Sequence, residues 1–386
     1  MKKMLYFALV ALVMMSCGKS GGRMLTSATG TIYECLVVMP DRPLDAAQRE
    51  LIAHSLTPTG SAYAEPVNTT YDMVRATLAA DMPCMPQMEP YLKLSQVNIS
   101  LFDDYLKPTR NILIIDVNRD KYTGLKVQRS RNVWAKPQAV FRIQAPNDET
   151  VVSYWMEHGT EVRDWFVREE MNRQISFSRA NTNKEARARL QQQGYDMLIP
   201  EDYMLIMDTA IAINDQIIND PYGEADRSTG GRLEMVNVLW CCNNKGPMRR
   251  DMLVYSYPYT AQEQFSHESI CAMRDAVMGR LVSAQVEGSH MGTEYRYFPP
   301  VSRQVKARND STGGFYAVET RGLWKILDGE AMGGPYVSLT RLDQVNGRVV
   351  TAETFLFASG QKKRNALRQA EAILYSLEMP NERQRK

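Results

Sequence analysis

The chain has 386 residues, 44% of them hydrophobic, with 46 Lys and Arg against 44 Asp and Glu. That length accommodates two ordinary domains or one large one with a real core. So small a net charge excludes a polybasic nucleic-acid surface, and no Gly-x-x-x-x-Gly-Lys or Gly-x-Gly-x-x-Gly phosphate cradle occurs, so neither nucleic acid nor nucleotide is an expected partner.

The N-terminus reads as a targeting segment. Lys2 and Lys3 precede 12 apolar residues, Met4 to Met15, and Ser16 then stands before Cys17. Twelve residues are too few to cross a bilayer, and the order of charge, apolar run, small residue and cysteine resembles a bacterial lipoprotein signal peptide. Residues 1–16 are therefore expected to be removed. Cys17 becomes the lipidation site, its acyl chains of palmitate type each anchored by about 0.8 kcal/mol per buried methylene. Residues 17–30, with Gly18, Gly21 and Gly22, form a flexible tether. No acidic residue stands at position 18 and no acidic cluster comes after it, which favours the periplasmic face of the outer membrane. Five other cysteines remain: Cys35, Cys84, Cys241, Cys242 and Cys271. They allow at most two bridges, and buried free thiols are the equal alternative. Cys241 and Cys242 alternate faces on a strand and should not bond each other.

Strand patterns dominate the rest of the chain. Short β-branched or aromatic runs occur at Thr31 to Met39, Asn111 to Val117, Ala139 to Gln144, Tyr203 to Met207, Glu234 to Cys242 and Met252 to Tyr257. Further strands are expected near Glu294 to Phe298, Phe315 to Leu327, Tyr336 to Leu342 and Arg348 to Phe357. Helical spacing appears from Asp148, where Asn147 can cap the start and Gly159 threatens a kink. It recurs over Lys184 to Gln193 with Gly194 as a left-handed stop, over Gln262 to about Val286, and over Lys362 to Leu377. The fold expected is α+β, mainly antiparallel sheets with helices packed on one face, in halves spanning 31–180 and 195–380. Both halves read strand, strand, long helix, so they are either related by duplication or simply share a common hairpin-plus-helix unit.

Motifs that suggest catalysis each lack a part. His267 and Cys271 share a helix face but bring no third ligand, so no metal is expected. Asp116, Asn118 and Asp120 have calcium-loop spacing, yet Lys121 and Val127 stand where the loop needs Gly and Glu, so a solvated turn is expected. Ser359 and Lys362 match a serine-x-x-lysine spacing without its partner motifs, and Ser359 is better placed near a helix N-cap. No catalytic residue and no cofactor are assigned. The most distinctive stretch runs from Gly313 to Tyr336. In it Trp324 and Tyr336, beside Met332, Gly333 and Gly334, form either a stacking platform for a sugar or peptide or a hairpin with Trp324 in the core.

The Cys17 motif, Asn111-Ile-Leu-Ile-Ile-Asp-Val, Gly322-Leu-Trp-Lys, Ala331-Met-Gly-Gly-Pro-Tyr-Val-Ser and the helix opening at Lys363 together resemble a Bacteroidetes lipoprotein family of unknown function. The resemblance implies an envelope setting and no active site. It also implies O-glycosylation at Asp-Ser/Thr sites, for which Ser311 and Thr209 qualify, Ser311 being the better placed of the two. The expected role is a non-catalytic envelope interaction or assembly component with a protein partner and the bilayer as its support. The alternatives are a glycan- or peptide-binding lipoprotein and, behind these, a hydrolase.

Overall fold

A computed structural model describes residues 25–41, 71–215, 217, 232–307 and 315–383. Cys17 and Ser311 lie outside the described residues. The N-terminal part contains β1 (Thr26–Ser27), β2 (Glu34–Met39), helix α1 (Asp72–Leu78), β3 (Lys93–Asn98), β4 (Asn111–Val117), β5 (Lys126–Arg131), β6 (Ala135–Lys136) and β7 (Ala139–Ala145). Helices α2 (Asp148–Ala180) and α3 (Lys184–Gln192) come next. The C-terminal part contains β8 (Met204–Asn214), β9 (Leu233–Asn243), β10 (Arg249–Pro258), α4 (His267–Leu281), β11 (His290–Thr293), β12 (Val301–Ala307) and β13 (Phe315–Leu327). It ends with β14 (Gly333–Asp343), β15 (Arg348–Phe357), α5 (Arg364–Leu374) and α6 (Pro380–Arg383).

The class is α+β, as the sequence pattern predicts, and the two halves build their sheets differently. The N-terminal sheet runs β3-β2-β4-β7-β5, parallel at every junction except β5 against β7. Parallel strands are covered on both sides and so carry continuous apolar runs. In β4, Ile112 and Ile114 face Phe102, Leu106 and Trp134, whereas Leu113 and Ile115 face the helices α1 and α2. The C-terminal sheet is an antiparallel array, β11-β13-β14-β15-β10-β9-β8, with β12 also on β13. The strand, strand, helix likeness is therefore realised with parallel neighbours in one half and antiparallel neighbours in the other.

Helices occupy one face of the N-terminal sheet but both faces of the C-terminal one, which differs from the one-face expectation. Val350, Ala352 and Leu356 of β15 pack with Leu190 of α3 and with Leu367, Ile373 and Leu374 of α5. The alternate residues Val349 and Phe355 pack with Met273, Val277 and Met278 of α4. Such two-sided burial requires strands without a solvent-exposed face, and β14 and β15 are buried almost throughout, polar residues such as Thr340 and Glu353 included. Helix α5 also reaches the N-terminal core through Ala372, so it lies between the two sheets beside α2.

Local boundaries follow local chemistry where local partners exist. Asn147 Oδ1 accepts the Thr150 N–H at 2.9 Å and starts α2, and Gly194 ends the α3 segment at φ +98°. Gly159 does not break α2, which runs continuously through it, and the missing Cβ leaves room for the Trp155 indole, whose Nε1 would lie 2.6 Å from one. The expected strand at Glu294 to Phe298 is instead a turn. Glu294 Oε1 accepts N–H groups from Arg296 and Tyr297 at 2.6 and 3.0 Å, and β11 and β12 flank it end to end along β13. Ser359 is not the N-cap of the last helix. That helix begins at Arg364, and Glu89 from the other half accepts the Lys363 and Arg364 N–H groups at 3.0 and 3.2 Å.

Candidate functional site

The residues singled out around Trp324 are core. Trp324 is 3% exposed and Tyr336 0%, and the Trp324 indole donates to Leu356 O at 3.0 Å. Neither ring offers solvent a face, so of the two readings of this stretch the hairpin with Trp324 in the core holds and the stacking platform does not. The glycines serve that packing. A Cβ on Gly334 would fall on Leu356 O and within 2.9 Å of Trp324 Nε1, and one on Gly333 within 2.7 Å of Trp324 O. Gly322, paired with Tyr336 across β13 and β14, leaves room for the tyrosine ring, and Arg274 lies 3.6 Å from that ring's centroid. Met332 is half-buried beside this core.

The remaining motifs are equally plain. Asn118 Oδ1 accepts the Asp120 and Lys121 N–H groups, and Asp116 accepts the Tyr122 hydroxyl, which makes a polar turn. His267 Nδ1 pairs with Ser302 Oγ at 2.8 Å, with Cys271 Sγ 3.9 Å from Nε2. All five described cysteines are free thiols, with Cys241 and Cys242 on opposite faces of β9. Thr209 is exposed on the edge strand β8.

What the fold assembles, and the sequence motifs missed, is a cleft between the halves. It has a volume of about 280 Å³ and is bounded by α2, β12 and α5. Helix α2 supplies Val167, Met171 and Ile175, four residues apart and hence on one stripe. Strand β12 supplies Arg303, Val305 and Lys306. Arg368, Glu371 and Tyr375 come from α5 and its end, and Tyr91 and Arg168 complete the walls. Four basic side chains face two acidic ones, Asp164 and Glu371, so the cleft is electropositive over an apolar floor.

Behind the cleft runs an alternating chain of buried charge. Arg303 Nε and Arg321 Nε each donate to Glu319 Oε1 at 2.9 Å, and the Tyr375 hydroxyl donates to Glu319 Oε2. Arg321 Nη2 donates to Glu371, which also receives Arg368 Nη1 at 3.3 Å. Burial alone would raise the Glu319 carboxyl, but the Arg321 and Arg303 charges outweigh it and hold the group down to about 2. Burial, reinforced by the carboxylate of Glu319, pushes the Tyr375 phenol well above its ordinary value. Arg368, 1% exposed, lies over the rings of Tyr33 and Tyr91 at 4.8 and 5.2 Å. Such an arrangement ties both carboxylates to arginines, which suits fixed recognition of charge and not proton transfer. Sequence spacing could not find it, since its members run from Tyr33 and Tyr91 in one half to Tyr375 in the other.

A second buried pair stands on the other face of the long sheet. Arg274 Nε donates to Glu353 Oε1 at 2.9 Å and Nη1 to Thr293 Oγ1 at 2.9 Å, while Thr293 donates to Asp275 at 2.6 Å. Burial pushes the Glu353 carboxyl up to about 7 against the pull of Arg274. With both partners at 1% exposure or less, this pair is part of the core and faces no cleft.

Two sequence-family models match separate parts of the chain. Residues 231–376 are similar to a domain of unknown function (DUF4837), and residues 61–179 to a second domain of unknown function (DUF8532). A search of curated proteins found no match to the chain.

Proposed function

We propose that the protein is a lipid-anchored envelope protein whose two-lobed body binds a ligand or partner without converting it chemically. Cys17 is its membrane attachment, and the outer membrane, on the periplasmic side, its location. The observation that supports a binding role is the inter-lobe cleft, where four basic side chains are set over an apolar wall and the nearby carboxylates are engaged by arginine. The described part of the long strand β13 is paired on both sides, so the Gly314 to Tyr336 region is less suited to docking a partner than the cleft is. Among the described residues no helix is long and apolar enough to cross a membrane, so attachment in this proposal rests on Cys17.

The test is metabolic labelling with a fatty-acid analogue, followed by membrane fractionation of the natural chain and Cys17→Ser. The natural chain is expected to carry label in the outer-membrane fraction, and the variant to carry none. An unlabelled natural chain recovered in the soluble fraction would refute the anchoring.

A further inference from the structure

We propose that the open groove between β5 and α2 binds the phosphate group of a phosphomonoester, held by Arg129, Arg131 and Arg168. This site goes beyond the inter-lobe reading and stands whether or not that cleft takes a ligand. Two periodicities build it. Arg129 and Arg131 are two apart on β5 and so share a face, the one on which Phe141 of β7 packs toward α2. Trp165 and Arg168 are three apart on α2 and share one side of the helix. Together these four line a concavity of about 600 Å³, within the range of small-molecule sites. Its three cations are reachable from solvent, since Arg129 and Arg168 are exposed and the Arg131 side chain is 57% exposed.

Twice elsewhere in the protein two arginines converge, and each time a carboxylate stands between them. Glu170 accepts Arg110 Nε at 2.8 Å and Arg173 Nη1 at 2.9 Å, and Glu319 accepts Arg303 and Arg321 at 2.9 Å each. The β5–α2 groove departs from that pattern. Glu169, next to Arg168, is taken up in a fork by Arg131, with Nε at 2.8 Å and Nη2 at 2.6 Å. Among the described residues Arg129 and Arg168 make no ion pair. The acids one turn earlier on α2 are engaged otherwise, Asp164 by Arg163 at 3.0 Å and Glu161 by His158 at 3.5 Å. Three guanidinium groups less one carboxylate leave two positive charges uncompensated in the groove. A phosphomonoester carries about −1.5 to −2 charge at pH 7 and three acceptor oxygens, which matches that excess. The wall is ordered before a ligand arrives, since Glu169 fixes Arg131, Arg129 lies 5.6 Å from the Phe141 ring centroid, and Trp165 packs edge-on against the same ring.

The experiment is calorimetric titration of the full chain with methyl phosphate, methyl sulfate and dihexanoyl phosphatidic acid. Methyl phosphate is expected to bind about tenfold more tightly than methyl sulfate, which has the same shape and a smaller charge. Its affinity should fall as pH drops through about 6, where the phosphate takes up its second proton. Arg129→Gln and Arg168→Gln should each weaken binding by about tenfold. Lys126→Gln removes a charge from the opposite face of β5 and should change binding by less than about twofold. All three positions are exposed, so these variants keep the fold. Equal affinity for phosphatidic acid and methyl phosphate would assign a soluble ester, and affinity for phosphatidic acid tighter by about tenfold a lipid headgroup; either supports the site. Failure of both phosphates to bind, equal binding of methyl sulfate, or an equal loss in Lys126→Gln and Arg129→Gln would overturn the inference. Binding weakened by Lys306→Gln and untouched by Arg129→Gln would put the phosphate in the inter-lobe cleft and overturn the placement.

Discussion

Gly334→Ala tests whether the glycine turn is packing or recognition. Gly334 opens β14 between β13 and β15, and a methyl there would lie under 3.0 Å from Leu356 O and at 2.9 Å from Trp324 Nε1. Neither neighbour can step aside. Leu356 O is backbone in a strand, and the indole is buried at 3% exposure and hydrogen-bonded to that same carbonyl at 3.0 Å. Overpacking of this kind costs about 1–3 kcal/mol, and losing the indole bond leaves a buried donor at a further ~1–3 kcal/mol. The expected loss is about 4 kcal/mol, a large part of the ~5–15 kcal/mol that holds a typical domain together. Denaturant unfolding followed by tryptophan fluorescence reads it, with Gly124→Ala as the control. Gly124 has no atom within 4 Å of an added Cβ, and its variant should stay within about 0.5 kcal/mol of the natural chain. A Gly334→Ala protein as stable as the control would refute the close-packing argument.

Three further outcomes are expected. Glu371→Gln removes the carboxylate shared by Arg321 and Arg368. It should destabilise by about 3–5 kcal/mol in the same unfolding assay, and a loss under about 1 kcal/mol would show that this bridge between β13 and α5 is dispensable. Glu319, held down to about 2, contributes stability that is present above the ordinary carboxylate value of 4.5 and lost as pH falls from there toward 2. That contribution is on the order of 3 kcal/mol; in Glu319→Gln the slope of stability against pH over this window should flatten, and an unchanged slope would place the acid sensitivity elsewhere. Among the described cysteines, Cys84 is part-exposed, whereas burial pushes the Cys241 and Cys271 thiols up to about 12. A maleimide reagent should therefore label Cys84 in the native protein and Cys35, Cys241, Cys242 and Cys271 only after unfolding; a disulfide found in peptide mapping would contradict the free-thiol geometry.

Much of the secondary structure was legible because its causes lie within a few residues. Asn147 caps α2 through a group three residues on, Gly194 stops the α3 segment by its left-handed backbone, and β4 announces itself as a continuous apolar run. The placement of Cys241 and Cys242 on opposite faces follows from the two-residue period of a strand. The α+β class follows from the same patterns taken together. Other local readings failed where a distant partner decided the outcome. Ser359 looked like the cap of the last helix, but Glu89 from the other half caps it instead. Trp324 and Tyr336 allowed either a platform or a core hairpin, and the neighbouring strands and α4, which enclose them, decide for the core.

Hydrophobic order and local hydrogen bonding are written along the chain, so the sequence by itself determined most of the segments that become helix and strand. The parallel pairing in one sheet and antiparallel pairing in the other, and the helices on both faces of the long sheet, came only with the tertiary structure. So did the chain of charge from Arg303 to Arg368. Each depends on residues brought together from tens to more than a hundred positions apart, and in the chain of charge every buried group needs a partner that spacing along the sequence does not reveal.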